Sequence, residues 1–242
     1  MLRFEELYVV SSEQTKVSDA ELAHLEQALE ATLPSGYRAL VTTLGLGSIN
    51  GLLEIKSPEA VLEGRASFIA HRVLAPEHRF WKNWNDLFLP GDEAKLVSLA
   101  TSLSGDEVCM HTDDPGVLVT LPRNRDNLLA ADSFESALSS FVTKRAWFEP
   151  RRSNVEHMIE YEAKRVDDVL DLLGREMSAD FDDGADPPGT FFFARPGALV
   201  DARDAGKLYV RVDEAHRRFI GEVASCVAER LVRPPGELDA DA

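Results

Sequence analysis

Leu33-Pro34-Ser35-Gly36-Tyr37-Arg38-Ala39-Leu40 decides how this chain is read. A residue that precedes proline is driven out of the α region, so a helix arriving from upstream must stop near Leu33. Proline has no N–H to lose in a first helical turn and its φ is preset, so Pro34 opens a fresh helix. Tyr37, Leu40, Val41 and Leu44 give that helix an apolar side, and Gly45 and Gly47 end it. Upstream, Ser18-Asp19-Ala20-Glu21 forms a capping box, in which the Ser oxygen takes an orphan N–H and the Glu reaches back. Leu22, Leu25 and Leu29 follow at helical spacing. Two helices meeting at a proline corner are the first element of the architecture.

Short apolar runs separated by turn residues come next. Gly51-Leu52-Leu53-Glu54-Ile55 reads as a strand, and Ser57-Pro58-Glu59-Ala60-Val61-Leu62 as a short helix with proline in its first turn. Phe68 to Leu74 fits either period. Residues 95–100, 106–111 and 117–121 alternate like strands of an antiparallel sheet, with Asp113-Asp114-Pro115-Gly116 turning between the last two. Asp132-Ser133-Phe134-Glu135 starts a closing helix with Phe134, Leu138, Phe141 and Val142 inward. The order helix–helix–sheet–helix predicts an α+β domain over residues 1–148, helices packed on a mostly antiparallel sheet.

A smaller α/β unit is expected over 149–233, reading helix–strand–strand–helix. Ser153 to Glu156 repeats the capping box, and Val155, Met158, Ile159, Val166, Val169, Leu170 and Leu173 recur at three and four, with Gly174 as a stop. An acidic loop, 178–189, separates this predicted helix from strands at 190–194 and 207–212. A last helix runs from about Asp213 with Phe219, Ile220, Val223, Val227 and Leu231 on one face. Residues 234–242 read as a disordered tail.

Composition narrows the function classes. The 242 residues are 44% hydrophobic and 28% charged, with 26 basic and 42 acidic side chains for a net charge of −16. The excess is spread, with 13 basic against 22 acidic residues over 1–150. Such a surface repels phosphate, and no basic run exceeds Arg151-Arg152, so nucleic acid and anionic membrane are poor partners. A basic protein is the better match, because opposite fields speed encounter. The first residues carry no signal-peptide pattern and no apolar run approaches a membrane span, which predicts a cytoplasmic protein. Cys109 and Cys226 lie far apart among apolar neighbours and read as core thiols.

Chemistry-bearing motifs are missing. None of the six histidines forms an HExxH or an i, i+4 pair, and His111 near Cys109 makes two ligands at most, so no metal site is expected. Asp180-Phe181-Asp182-Asp183-Gly184 resembles a calcium loop in composition, but its glycine stands fifth and Phe191 occupies the twelfth position. Gly45 to Gly51 follows a helix and precedes a strand, the reverse of a dinucleotide loop, and reads as a C-cap and turn. There is no GxSxG elbow and neither cysteine has an adjacent base. No cofactor and no catalytic residue is therefore predicted. For contact with a partner the candidates are Trp81 and Trp84, since tryptophan is favoured at interface hot spots, and the acidic Asp180, Asp182, Asp183 and Asp186. The alternative for the tryptophans is packing over the sheet edge beneath a long connection.

These words, in this order, resemble the SMI1/KNR4 (SUKH) superfamily over about 17–145. The carriers are Glu21-Leu22-Ala23-His24-Leu25-Glu26, the Leu33-Pro34 to Leu40 helix start, Gly105-Asp106-Glu107-Val108-Cys109, and Ser133-Phe134-Glu135 with Leu138. Leu44 to Gly47 intervene here before Asn50-Gly51, where that family often has Asn-Gly directly after the Tyr-bearing helix. The resemblance implies a non-enzymatic binding module with no catalytic residues to carry over. It implies either an immunity-type protein that binds and neutralises a toxin domain, or a regulatory adaptor with no toxin partner. The negative charge suits a basic nuclease toxin.

Overall fold

A computed structural model describes residues 2–10, 14–73, 81–123, 125–141, 146–150, 154–161, 166–177, 181–182, 189–193, 198–202 and 206–232. The chain divides into two compact units. Unit 1 comprises 1–7, 14–143 and 148–151, and unit 2 comprises 8–13, 144–147 and 152–242. The fold class is α+β, as the sequence predicts.

In unit 1 the capping box forms as read. Ser18 accepts from the Glu21 N–H, Glu21 accepts from the Ser18 N–H at 2.8 Å, and α1 runs Asp19–Leu29 with Leu22, Leu25 and Leu29 buried. It stops four residues before Leu33, because Glu30 adopts a left-handed conformation (φ 51°). The corner is then held by side chains. The Leu33 N–H donates to Glu26 Oε1 at 2.9 Å, and the Arg38 guanidinium reaches Glu26 at 2.9 Å and Asp19 at 3.3 Å. Pro34 occupies the N-cap position of α2 (Ser35–Thr43), which buries Tyr37, Leu40 and Val41. Tyr37 meets Phe134 of α5 (Phe134–Ser139) edge to face at 5.6 Å, and its hydroxyl donates to the Lys56 carbonyl at 2.8 Å. Each such buried aromatic contributes a few kcal/mol, so the two ends of the family-like segment are fastened to each other by their signature residues.

Within unit 1 the strands lie in the order β8-β2-β3-β4-β5-β6-β7. They are β2 (Gly47–Ile49), β3 (Leu53–Ile55), β4 (Leu96–Ser102), β5 (Glu107–His111), β6 (Leu118–Leu121), β7 (Leu129–Ala131) and β8 (Trp147–Pro150). β2 corrects the expectation of a plain C-cap and turn at 45–51. Its Gly47 has no side chain to announce a strand, yet it pairs with Pro150 of β8. Asn50 and Gly51 then carry positive φ (54° and 62°) in the turn to β3, a geometry that Asn-Gly tolerates best. α3 (Pro58–Phe68) starts with Ser57 as cap and Pro58 in its first turn, and continues through a wide π-type turn, Ile69–Val73, so the ambiguous stretch is helical as far as Val73. Phe68, Val73, Trp81 and Phe88 pack with Leu96, Cys109 and Val119 of the sheet.

The Gly105-Asp106 signature is a structural lock. Asp106 Oδ1 accepts from the Arg123 N–H at 2.8 Å, while its other oxygen accepts from the hydroxyls of Ser104 (2.7 Å) and Ser102 (3.0 Å). Partial burial pushes the Asp106 carboxyl up, but these bonds outweigh it and hold the group below its ordinary 3.8. Glu26 is held below 4.5 by the Leu33 N–H, against burial and with help from Arg38. A carboxyl whose folded value is depressed lends stability above its unfolded value and loses it as pH falls through the folded one. Urea midpoints are therefore expected to be level near neutrality and to decline below about pH 4.5, as protons take over these two groups. In Glu26→Gln/Asp106→Asn the protein starts less stable and that decline is shallower; a parallel decline in both proteins contradicts the assignment.

Unit 2 departs from its predicted helix–strand–strand–helix order. Residues 154–160, expected to continue a helix from Ser153, form strand β9 (Asn154–Glu160), paired in register with β13 (Lys207–Asp213) from Asn154↔Asp213 to Glu160↔Lys207. Seven cross-strand partners override a helical spacing that three apolar residues satisfied by coincidence. Ser153 itself lies outside the described residues. The helix begins only at Val166, as α6 (Val166–Asp171), and Gly174 sits inside a π-type turn, Leu172–Glu176, rather than ending it. The sheet order is β10-β11-β12-β13-β9, with β10 (Phe181–Asp182), β11 (Thr190–Phe193) and β12 (Ala198–Asp201), and these neighbours pair antiparallel. Phe191, Phe193, Val200, Leu208 and Val210 pack with Val169 and Leu173 and with Val223 and Val227 of α7 (Arg218–Val232). On the opposite face Phe192 and Leu199 pack with Val10 and Trp147, and Tyr8 of β1 (Tyr8–Val9) meets Phe192 edge-on at 4.9 Å. Cover on both faces explains why all four residues of β11 are buried, which a single-faced strand would not show. The predicted tail, 234–242, lies outside the described residues.

Candidate functional site

The predicted tryptophans do come together. Trp81 is only 8% exposed, its indole N–H donates to the Pro122 carbonyl at 3.0 Å, and its ring stacks on Trp84 at 5.8 Å. Trp84 opens α4 (Trp84–Leu87) and tilts against Phe88 at 4.8 Å. Between them, Asn83 accepts from the Leu128 N–H at 2.8 Å and donates to its carbonyl at 3.1 Å. The segment is thus stapled to the strand connection at 122–128, and Trp81 belongs to the core of unit 1. A cleft of about 310 Å³ is lined by Val73, Trp81, Trp84, Asn85, Pro90 and Glu93. Of the acidic candidates, Asp182 stands in β10 opposite Phe191, in unit 2. Asp180, Asp183 and Asp186 lie outside the described residues.

Beside that cleft, the Asp92 carboxylate accepts from the Leu89 N–H and reaches Lys95 at 3.1 Å and His111 at 3.5 Å. The Leu89 bond, followed by Lys95, holds Asp92 below its ordinary value. Among the described residues no three His, Cys, Asp or Glu side chains gather as a metal site, and no helix is long and apolar enough to cross a membrane. Cys109 is a buried thiol and Cys226 a half-buried one.

A second surface of unit 1 was not anticipated. Strand register lines up Glu149, Ser48, Glu54, Thr101 and Glu107 across β8, β2, β3, β4 and β5. At the β4–β5 end of this row a cation is already seated. The Lys56 ammonium lies 3.0 Å from Glu107 and 2.7 Å from the Ser98 hydroxyl, with the Phe68 ring 5.8 Å away. Glu107 also accepts from Thr101 at 2.7 Å and from Ser98. At the other end of the row lies an open groove of about 280 Å³, lined by Gly47, Ser48, Gly51, Leu52, Glu54, Leu103, Glu149 and Pro150. Leu52 and Leu103 are 48% and 79% exposed, and the Leu103 N–H donates to the Leu52 carbonyl at 2.8 Å, which fixes them side by side. The signal in the sequence was an apolar residue in each of two polar turns, Leu52 after Asn50-Gly51 and Leu103 between Ser102 and Ser104.

No curated protein matches the chain. The model of the SMI1/KNR4 family (SUKH-1) matches residues 16–140, which contain the proline corner, the β2–β3 hairpin, the Gly-Asp lock and the closing helix. With just over half of its length inside that match, this chain belongs to the SMI1/KNR4 family (SUKH-1).

Proposed function

We propose that this protein is an immunity-type binding module of the cytoplasm that neutralises a toxin domain by covering part of its surface and makes or breaks no bond itself. The observation that carries the reading is family membership across residues 16–140, since bacterial proteins resembling this family are associated with immunity to toxins. The charge supports a basic partner such as a nuclease domain: a net −16 attracts it over a Debye length and imitates its polyanionic substrate. Covering such a face takes about 800 Å² per partner, with a few anchors supplying most of the energy.

Co-expression with the product of each adjacent reading frame, a toxin domain being the expected neighbour, tests this reading. Growth is expected to be rescued, the two chains to co-elute, and their association rate to fall as salt is raised. Neither rescue nor a complex would overturn it.

A further inference from the structure

We propose that strand β9 is a self-association edge, along which two copies of this chain pair antiparallel about a two-fold axis through His157 and join their five-stranded sheets into one. The inference concerns unit 2 alone and does not depend on what unit 1 binds.

β9 is the last strand of its sheet, with β13 beside it on one side. Just past the strand the Tyr161 N–H donates to the Gly206 carbonyl at 2.8 Å. Bonding alternates along an antiparallel ladder, so Ile159, His157 and Val155 likewise bond to β13. Met158 and Glu160, with Glu156 and Asn154, turn their N–H and C=O groups the other way, along the outer edge. Natural edges are blunted by shortness, proline, lysine or a bulge. The terminal strands β7 and β10 are blunted by length, at three and two residues. β9 runs for seven residues, Asn-Val-Glu-His-Met-Ile-Glu, without lysine, proline or glycine, and its register with β13 has no bulge. Among the described residues it is the longest strand at a sheet edge.

The order of residues in β9 selects a second copy as the occupant. Two antiparallel copies centred on His157 pair all seven residues, with Val155 opposite Ile159, Glu156 opposite Met158 and Asn154 opposite Glu160. Centring on Met158 or on Glu156 pairs only five and sets Glu156 against Glu160 or against itself, and like charges directly opposite are unfavourable. On their own sheet Glu156 and Glu160 already stand opposite Arg211 and Lys207, so the added strand has no cation to bring. Met158 is 43% exposed, and its two copies become diagonal neighbours across the axis. Such a contact uses the same surface on both copies, so it closes at a dimer. A net charge of −16 on each copy and a contact one strand wide keep that dimer weak.

Sedimentation velocity of the full chain over about 5–500 μM tests this, a range that suits a small interface. A monomer–dimer equilibrium is expected. In amide exchange followed by NMR, the N–H groups of Met158 and Glu160 are expected to gain protection with concentration, while those of His157 and Ile159 are protected throughout. Met158→Lys places an ammonium opposite Glu156 of the second copy, twice per dimer, and is expected to tighten the dimer about threefold or more. Met158→Glu is expected to weaken it by as much, and His157→Lys, which sets two ammoniums face to face on the axis, by about tenfold or more. Leu89→Lys makes the same charge change at a 72% exposed position of unit 1 and is expected to leave the equilibrium as it is. Unchanged melting temperatures check that the variants fold. A monomer at every concentration, a dimer in which the Met158 and Glu160 amides stay unprotected, or equal effects of Lys and Glu at position 158 would overturn the inference.

Discussion

Gly47→Ala is expected to cost about 3 kcal/mol and to lower the melting temperature by about 6–12 °C. A methyl group at Gly47 would stand 2.2 Å from the Glu149 carbonyl oxygen and 2.8 Å from the Phe148 ring. The carbonyl is backbone, and Phe148 is fully buried, so neither can swing aside. The strain must be relieved by parting β2 from β8, which breaks pairs at Gly47↔Pro150, Ser48↔Glu149 and Ile49↔Phe148. Gly64→Ala is the control. Nothing lies within 4 Å of its new methyl group in the middle of α3, so relief of glycine's conformational entropy is expected to stabilise the protein by about 0.5–1 kcal/mol. Thermal melts of the two variants check both signs. Equal and small effects would mean that β2 is not held against β8.

The second large effect is at the buried cation. The side chains of Lys56 and Glu107 are 22% and 10% exposed, and breaking such a pair leaves one charge stranded away from water. Lys56→Met is expected to destabilise by about 3–5 kcal/mol. Glu107 would retain the hydroxyls of Ser98 and Thr101, but these cannot neutralise it. Lys56→Met/Glu107→Leu removes both charges and is expected to cost less than the sum of the two single changes, giving a coupling of about 1–3 kcal/mol in urea denaturation. Additive losses would show that the two side chains do not act as a pair.

What the sequence disclosed about the fold was local. Capping at Ser18, Ser57 and Ser133 depends on residues three apart, and so did the turn at Asp113 to Gly116, where the Val117 N–H reaches the Asp114 carbonyl at 2.9 Å. Strands flanked by such turns, β4, β5 and β6, were legible for the same reason. The misses were decided at long range. Gly47–Ile49 is a strand because β8, about a hundred residues later, lies beside it. Asn154–Glu160 is a strand because β13 supplies partners for every residue, although Val155, Met158 and Ile159 also fit a helical face. β7 and β12, three and four residues long, were not read from the sequence at all.

The same division holds for the site. Trp81 and Trp84 stood out as residue types, and the structure stacks them, but burial commits Trp81 to the core. The groove could not be read from the chain because its two glutamates, Glu54 and Glu149, become neighbours of Ser48 only through strand order. Individually each is one carboxylate among 42 Asp and Glu.

Hydrogen–deuterium exchange on the chain in complex with a protein that co-purifies with it on co-expression probes the binding-platform account most directly. New protection concentrated within unit 1 is the predicted result. A complex whose protection falls wholly outside unit 1 would contradict it.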